Sequence, residues 1–183
     1  MPTLWLQLLR TPGLTGALLP SSRHLAQAMA RTAGEVQHIV ELGAGTGALT
    51  KELRRQLPQA SLIAVEIQPL LAQQLRSTFA GLDVREEAAH AVLDQLAYAN
   101  PTAVVSSLPF RSLPQPLRET TQASIEDFLR KVPGSTLIQF TYLPIAPFAA
   151  AAEFQWHRAC VVWRNLPPAG VWVLQHRPCL GPP

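Results

Sequence analysis

Short apolar segments alternate with segments of helical periodicity along most of the chain. Runs rich in Val, Ile, Leu and Ala that end at glycine, proline or acidic residues are typical of buried strands, whereas apolar residues three or four apart indicate amphipathic helices. This alternation predicts a mainly parallel α/β sheet. Strands are predicted at residues 36–42, 61–66, 82–85, 102–106, 135–142, 158–164 and 171–176.

The segments between the strands are predicted to be helices, and they carry start and stop signals. Ser21 or Ser22 suits the capping position of the first helix, and Pro69 suits the first turn of another. Only a short connection separates the last two strands, which predicts an antiparallel pair. The predicted fold is an α/β, seven-stranded Rossmann-like sheet with a terminal antiparallel hairpin. The predicted helices cover residues 22–31, 48–57, 69–79, 88–98 and 117–131.

Composition limits the classes of protein to be considered. A chain of 183 residues is long enough for one domain with a proper core. Hydrophobic residues make up 48% and charged residues 15%, yet no uncharged apolar run reaches the length of a transmembrane helix. The net charge of +3 fits an anionic partner, either a lipid surface or a nucleic acid. Cys160 and Cys179 show no metal-ligand spacing and favour a reducing cytosol.

The clearest chemical signal is the loop Glu-Leu-Gly-Ala-Gly-Thr-Gly from Glu41 to Gly47, directly after a predicted strand and before a predicted helix. Its glycines allow tight turns and a close approach of the backbone to a ligand. The spacing from Gly43 to Ala48 also satisfies the dinucleotide fingerprint, so the glycines alone fit both NAD and S-adenosylmethionine. Glu41 favours S-adenosylmethionine, because a carboxylate there repels a pyrophosphate and suits the ammonium group of a methionine moiety.

Residues after the next strands extend this predicted cofactor site. Glu66 stands at the usual distance for an acid that accepts hydrogen bonds from ribose hydroxyls. Glu87 with Ala88 is expected to bind the adenine amino group, with Glu86 as a rival. The predicted cofactor-binding residues are Glu41, Gly43, Ala44, Gly45, Thr46, Gly47, Glu66, Ile67, Glu87, Ala88 and Ser106.

The segment Ser106-Ser107-Leu108-Pro109-Phe110 follows the fourth predicted strand, beside the expected cofactor crevice. In enzymes that methylate amino groups, this place supplies polar acceptors and an aromatic wall for the target nitrogen. Ser107 stands where an amide or carboxylate would hold the amino group of a base. This difference weakens the case for adenine as the substrate.

Three further segments carry a family resemblance, namely Pro20-Ser21-Ser22-Arg23, Gln139-Phe140-Thr141-Tyr142 and Asn165-Leu166-Pro167-Pro168-Ala169. With them, the chain resembles the bacterial phospholipid N-methyltransferases, which methylate phosphatidylethanolamine, and their ornithine-lipid relatives. The family more commonly has Gly where Ser107 stands. The resemblance implies methyl transfer from S-adenosylmethionine to a primary amine, without a metal.

Roles for individual residues also follow from this resemblance. Tyr142 is expected to form a wall of the site or a cation–π contact with the methylated head group. Arg23, Arg158 and Arg164 are candidates for holding a lipid phosphate. The candidate catalytic residues are Ser107 and Tyr142, and the candidate substrate-binding residues are Ser21, Ser22, Arg23, Leu108, Pro109, Arg158 and Asn165.

The expected protein is a cytoplasmic monomer that associates peripherally with the inner face of the cell membrane, and a nucleic acid is not the favoured partner. One domain is expected over residues 1–183, with an N-terminal helical segment at 1–34 and a catalytic core at 35–183. The N-terminal segment is a candidate for lying in the membrane interface and covering the substrate, because it is apolar and contains Trp5. The alternatives are an RNA adenine N6-methyltransferase, an NAD-binding module and a catalytically silent cofactor-binding protein. The RNA enzyme would need a separate basic helical domain.

Overall fold

A computed structural model describes residues 22–177, in which seven strands form one sheet of order β3-β2-β1-β4-β5-β7-β6. β1 to β5 are parallel, and β7 runs antiparallel to both β5 and β6. The predicted arrangement of five parallel strands and a terminal hairpin is confirmed. The strands are β1 (His38–Leu42), β2 (Ser61–Val65), β3 (Asp83–Arg85), β4 (Thr102–Ser106), β5 (Thr136–Thr141), β6 (Phe154–Val162) and β7 (Ala169–His176).

Five helices cover the two faces of the sheet within the described residues. They are α1 (Arg23–Ala33), α2 (Ala48–Gln56), α3 (Pro69–Thr78), α4 (Ala89–Gln95) and α5 (Gln115–Lys131). Ser22 caps α1, since its Oγ accepts a hydrogen bond from the backbone N–H of Leu25 at 3.3 Å. The rival capping residue Ser21 lies outside the described residues.

The central strands are buried on both faces, as expected for a parallel sheet between helices. Successive side chains of a strand point to opposite faces. Ile39 accordingly packs with Met29 and Leu53, from α1 and α2, on one face of the sheet. Val40 packs with Leu129 of α5 on the other face.

Some predicted boundaries were wrong. β6 runs from Phe154 to Val162 rather than from 158 to 164. It is the edge strand, and its middle residues His157, Arg158 and Ala159 are exposed, so the apolar pattern there is weak. α4 ends at Gln95 instead of continuing to Tyr98, whose ring stacks on His38 at 4.3 Å between centroids. α5 begins two residues before the predicted start, with a proline in its first turn.

The carboxyl ends of the five parallel strands meet at one edge of the sheet, termed the carboxyl edge below. The connection between β6 and β7 lies at the same edge, because Gly170 at the start of β7 pairs with Thr141 at the end of β5. In open α/β sheets, ligands bind at this edge. No helix within residues 22–177 has the length and apolar character needed to span a membrane.

Candidate active site

The glycine loop after β1 folds back over the end of β2. The backbone N–H groups of Gly43 and Ala44 both donate to the carbonyl of Val65, at 2.9 and 3.0 Å. Gly43 has a φ of 74°, and a Cβ there would lie 2.9 Å from Cδ2 of Leu108. Glycine is therefore needed here both for the turn and for the close approach of the segment that follows β4.

Gly47 stands directly before α2 and is the most constrained glycine of the loop. Its φ is 82°, and a Cβ would lie 2.5 Å from the ring of Phe79 and 2.9 Å from Cδ2 of Leu75. The start of α2 therefore lies so close to Phe79 and to Leu75 of α3 that a side chain at this position would collide with them. The last glycine of the motif therefore serves packing.

Glu66 connects the loop to the segment that follows β2. One carboxylate oxygen accepts from the backbone N–H of Gly45 at 2.8 Å, and the other accepts from that of Gln68 at 2.9 Å. A carboxylate has about four acceptor positions, so both oxygens keep capacity for further donors. The side chain is thus fixed in place and still able to bind hydroxyl groups.

Glu41 is buried beneath the loop and does not line the pocket above it. The hydroxyl of Thr50, on α2, donates to Glu41 Oε2 at 2.6 Å, and Oε1 has no hydrogen-bond partner among the described residues. Burial raises the pKa of Glu41 to about 8, although the Thr50 hydrogen bond partly offsets the rise. When no cationic ligand is bound, burial therefore favours the protonated form of Glu41.

A pocket of about 150 Å³ lies between the glycine loop, the end of β2 and the segment after β4. Six of the predicted cofactor-binding residues line it, namely Gly43, Gly45, Glu66, Ile67, Glu87 and Ala88. The other five predicted residues lie outside the lining, namely Glu41, Ala44, Thr46, Gly47 and Ser106. Seven further lining residues were not predicted from the sequence, namely Val65, Gln68, Leu71, Ala89, Leu113, Leu117 and Thr121.

A second pocket of about 370 Å³ adjoins the first, and Ser107, Leu108 and Pro109 line both. This shared wall is anchored, because the Ser107 backbone N–H donates to the carbonyl of Leu42 at 2.9 Å and Ser106 Oγ accepts from the Leu108 N–H at 3.2 Å. The other lining residues are Phe110, Arg111, Ser112, Gln139, Phe140, Thr141, Tyr142, Leu143 and Pro147. Two adjacent pockets that share one wall suit two ligands that must react with each other.

Gln139, at the end of β5, supplies an unpaired acceptor at the second pocket. Its Nε2 donates to the carbonyls of Leu108 and Phe140, at 3.0 and 3.1 Å, which sets the orientation of the amide. The residue is 2% exposed, and its Oε1 has no hydrogen-bond partner among residues 22–177. A buried acceptor left unpaired is costly, so this oxygen is suited to a donor on a bound ligand.

Comparison with known families decides the class of the protein. A family model described as a methyltransferase domain matches residues 39–132, more than half of the chain. The chain belongs to this methyltransferase family. No curated protein sequence matches the chain significantly.

Solved methyltransferase structures share the fold at low sequence identity. The 23S rRNA methyltransferase ErmE superposes with a TM-score of 0.58 at 21% identity, over 84% of this chain and 67% of ErmE. TrmN from Thermus thermophilus gives 0.60 at 21% identity, over 88% of this chain and 51% of TrmN. The putative methyltransferase yhhF from Escherichia coli gives 0.57 at 20% identity, over 91% and 88% of the two chains. These likenesses establish the fold and leave the acceptor open.

The protein is therefore a methyltransferase that depends on S-adenosylmethionine, and the residues that line the first pocket have chemistry suited to this cofactor. Glu66 presents free acceptor positions for the ribose hydroxyls. Ile67, Leu71 and Ala88 provide apolar walls for a base. The unpaired Oε1 of Glu41 lies below the loop, where ionisation of this acid would favour a cationic group.

The two candidates for binding the adenine amino group occupy different places in the methyltransferase. Glu87 lines the cofactor pocket, and its Oε2 accepts from Gln95 at 3.3 Å. Glu86 forms an ion pair with Arg76 at 3.0 Å and is absent from the pocket lining. The geometry favours Glu87.

Tyr142 lies in the wall of the second pocket and packs edge-to-face on Phe140 at 5.4 Å between ring centroids. Burial raises the pKa of Tyr142, and the side-chain amide of Asn165 opposes the rise. The phenol is therefore protonated at neutral pH. It can form an aromatic wall or a hydrogen bond, but it is not a base.

Asn165 holds two distant parts of the methyltransferase together. Its Oδ1 accepts from the backbone N–H of Ser22 at 3.3 Å, and its Nδ2 donates to the carbonyl of Pro167 at 2.7 Å. The side chain is 4% exposed and lines neither pocket. Ser22 and Asn165, predicted to bind substrate, therefore position the start of α1 and the β6–β7 connection beside Tyr142. The predicted substrate residue Ser21 lies outside the described residues.

Two of the arginines expected to hold a phosphate are used elsewhere. Arg23 lies 3.7 Å from Glu52, and Arg158 lies over the ring of Trp172 at 5.8 Å. Neither lines either pocket, because α1 and β6 place them away from the shared wall. Arg111, which sequence reasoning missed, lines the second pocket. Its position directly after Leu108-Pro109-Phe110 was the available signal.

Proposed function

We propose that this enzyme transfers methyl groups from S-adenosylmethionine to the amine of a phospholipid head group, phosphatidylethanolamine or its methylated forms, at a membrane surface. The observation that carries this proposal is the distribution of exposed apolar side chains. Five large hydrophobic side chains are exposed within residues 22–177, and all five belong to segments at the carboxyl edge. They are Leu70, Leu143, Ile145, Trp163 and Leu166.

The topology explains why these side chains share one edge. Leu70 stands in the first turn of α3, directly after β2. Leu143 and Ile145 follow β5, while Trp163 and Leu166 lie in the β6–β7 connection. Trp163 is 77% exposed and Leu166 is 86% exposed. Clustered apolar exposure marks an interaction surface, and tryptophan is favoured at the level of lipid head groups.

The surroundings of this edge favour a lipid bilayer as the partner. Arg164 stands between Trp163 and Leu166, and a cation beside apolar side chains suits an anionic lipid surface. Residues 1–21 connect to the described structure at Ser22, which contacts Asn165 in the same connection. The N-terminal segment, which we propose lies in the membrane interface, thus connects to the carboxyl edge. We propose that this edge of the sheet faces the membrane.

The second pocket has chemistry suited to an amine. Gln139 Oε1 is an unpaired acceptor for an N–H group, and Phe140 with Tyr142 forms an aromatic wall against which the amine and its methyl groups can pack. No carboxylate or histidine lines this pocket in the described chain, and its only charged lining residue is Arg111. Desolvation and the nearby guanidinium both disfavour an ammonium ion, so the pocket favours the neutral, nucleophilic amine.

The protein's contribution to the reaction is therefore positioning. When bound, S-adenosylmethionine supplies an electrophilic methyl group on its sulfonium. Gln139 orients the amine, and the wall of Ser107, Leu108 and Pro109 sets its approach between the pockets. An amino lipid that lacks phosphate, such as ornithine lipid, is the alternative acceptor, because it offers the same amine and apolar chains.

The membrane role is tested by comparing vesicles with a soluble head group. We expect methylation of phosphatidylethanolamine in vesicles to exceed methylation of glycerophosphoethanolamine at equal amine concentration by at least about tenfold. The double change Trp163→Ser and Leu166→Ser should remove most of this excess and reduce sedimentation with vesicles. The affinity for S-adenosylmethionine, measured by calorimetry, should stay unchanged. Equal activity on both substrates would contradict the proposal.

A further inference from the structure

A third cavity of about 370 Å³ lies beside the second pocket, between the start of α5 and the loop after β5. Arg111 and Pro147 line both the second pocket and this cavity, so the two are adjacent. The cavity is termed the arginine recess below. Its lining residues are Arg111, Arg118, Glu119, Gln122, Pro147, Phe148 and Ala149.

Two arginines face the recess without a partner. Neither Arg111 nor Arg118 forms an ion pair or a side-chain hydrogen bond with any residue in the range 22–177. By contrast, Arg76, Arg85 and Arg130 are each paired with a carboxylate at 3.0 Å or less. Two guanidinium groups that share a cavity, neither of them in an ion pair, repel each other, so an anion between them would be stabilising.

The recess is built on a fixed base. Gln122 of α5 donates to the carbonyl of Ala149 at 2.7 Å and so holds the loop against the helix. Phe148 packs against Phe110 at 4.9 Å and Trp156 at 5.1 Å between ring centroids. The part of the recess formed by Phe148 is therefore packed against the core.

We propose that Arg111 and Arg118 form a binding site for a phosphate anion, which in the enzyme's substrate is the phosphodiester next to the ethanolamine group. The identity of this phosphate, as part of a phospholipid head group, rests on the proposed function. A guanidinium group presents several N–H donors in a planar fork that matches phosphate oxygens. Since Arg111 lines both cavities, a head group can place its phosphate in the recess and its amine in the second pocket.

Glu119 is the opposing charge in the recess. Its Oε1 accepts from Nε2 of Gln115 at 2.8 Å, and it is the only acidic residue among the lining residues. Two guanidinium groups against one carboxylate leave the recess with net positive charge. Removal of the Glu119 carboxylate should therefore strengthen the binding of an anion in the recess, whereas loss of the arginines should weaken it.

The site is tested with the full chain and four variants: Arg111→Gln with Arg118→Gln, Arg118→Gln alone, Glu119→Gln, and Arg31→Gln as control. Arg31 is an exposed arginine near the end of α1, so its replacement removes the same charge far from the recess. We expect the affinity for glycerophosphoethanolamine, measured by calorimetry, to fall about tenfold in the double variant. It should fall less in Arg118→Gln, rise in Glu119→Gln and stay unchanged in the control.

Kinetics with two lipids then identify the source of the phosphate. The KM for phosphatidylethanolamine in vesicles should rise about tenfold in the double variant, while an alkyl primary amine in the same vesicles should keep its KM. Inorganic phosphate should inhibit the wild-type enzyme competitively against phosphatidylethanolamine. Equal loss on both amines, or inhibition that is not competitive, would overturn the site. An unchanged calorimetric affinity for glycerophosphoethanolamine in the double variant would overturn the phosphate site even if the enzyme methylates no lipid. The phosphate site and the proposed function can therefore fail separately.

Discussion

The backbone N–H of Gly45 donates to a carboxylate oxygen of Glu66 at 2.8 Å and so joins the glycine loop of β1 to the end of β2. This contact links the loop directly to the acid that we propose binds the ribose, and it adds to the hydrogen bonds that the loop makes to Val65 and that Glu66 accepts from Gln68. Each partner therefore depends on the other, and both lie in the lining of the cofactor pocket.

The first prediction concerns this contact. Glu66→Gln keeps the shape of the side chain but removes its charge and turns one acceptor into a donor facing a backbone N–H. Charged hydrogen bonds contribute about 1.5–3 kcal/mol, so the affinity for S-adenosylmethionine should fall at least about tenfold by calorimetry. Glu86→Gln is the matched control, because Glu86 pairs with Arg76 outside the pocket. A similar loss of affinity for S-adenosylmethionine in both variants would indicate a general effect of the net charge and would contradict a specific role of Glu66.

The second prediction separates steric conflict from backbone strain. Gly47 and Gly81 both have positive φ, 82° and 73°, but a Cβ at Gly81 meets no atom within 4 Å, whereas one at Gly47 meets Phe79 at 2.5 Å. Gly81→Ala should cost about 1 kcal/mol of unfolding free energy, and Gly47→Ala should cost about 3 kcal/mol. Denaturant titration measures both values. Equal losses would show that Phe79 moves aside freely.

The third prediction follows from the pKa of Glu41, which burial raises from about 4.5 to about 8. Between these values the folded protein holds a proton that the unfolded chain releases, so stability falls as the pH rises through this range. Glu41→Gln imitates the protonated acid. It should flatten the pH dependence and stabilise the protein at pH 7.5 by about 1–3 kcal/mol.

Thermal or denaturant unfolding from pH 5 to 8.5, without cofactor, measures this effect. Glu35→Gln is the control, because Glu35 is exposed and its replacement makes the same chemical change. A wild-type stability that is constant or increases with pH across this window, once the control is subtracted, would contradict the burial of a neutral Glu41.

The fourth prediction concerns the proton on the amine. Since no carboxylate or histidine lines the second pocket within the described chain, nothing there accepts the proton at neutral pH. At saturating S-adenosylmethionine, kcat/KM for the amine should therefore rise with pH, about tenfold per pH unit, until the free amine itself titrates. Measuring the same pH dependence in the variant Glu41→Gln removes any contribution from the titration of Glu41. A plateau reached near pH 6.5 would reveal a histidine or carboxylate base.

Part of the first pocket was predictable because its residues follow strands whose apolar pattern is clear. The loop from Glu41 to Gly47 and the acid Glu66 both stand at strand ends, and parallel strands bring such ends together. The protonation state of Glu41 was not predictable, because it depends on burial by α2 and on the single donor Thr50. The choice between Glu86 and Glu87 was also not predictable. Glu86 pairs with Arg76, and the sequence does not show where Arg76 lies.

The acceptor side was less predictable because its contacts join residues far apart in the chain. Asn165 and Ser22 are 143 residues apart, and their contact needs both α1 and the β6–β7 connection in place. Arg158 was a reasonable candidate for a phosphate, but β6 begins earlier than its pattern indicates and places the residue on the edge strand. Arg111 and Arg118 meet only because α5 starts close to the end of β4.

The proposal that the acceptor is a phospholipid amine is tested most directly by following the methyl group. The full chain is incubated with methyl-labelled S-adenosylmethionine, vesicles of phosphatidylethanolamine, vesicles of ornithine lipid and total RNA, and the lipid and aqueous fractions are separated by chromatography. We predict label in N-methylated phosphatidylethanolamine, with little label in RNA. Label in RNA alone, or in neither lipid under conditions in which the cofactor binds, would contradict the proposed function.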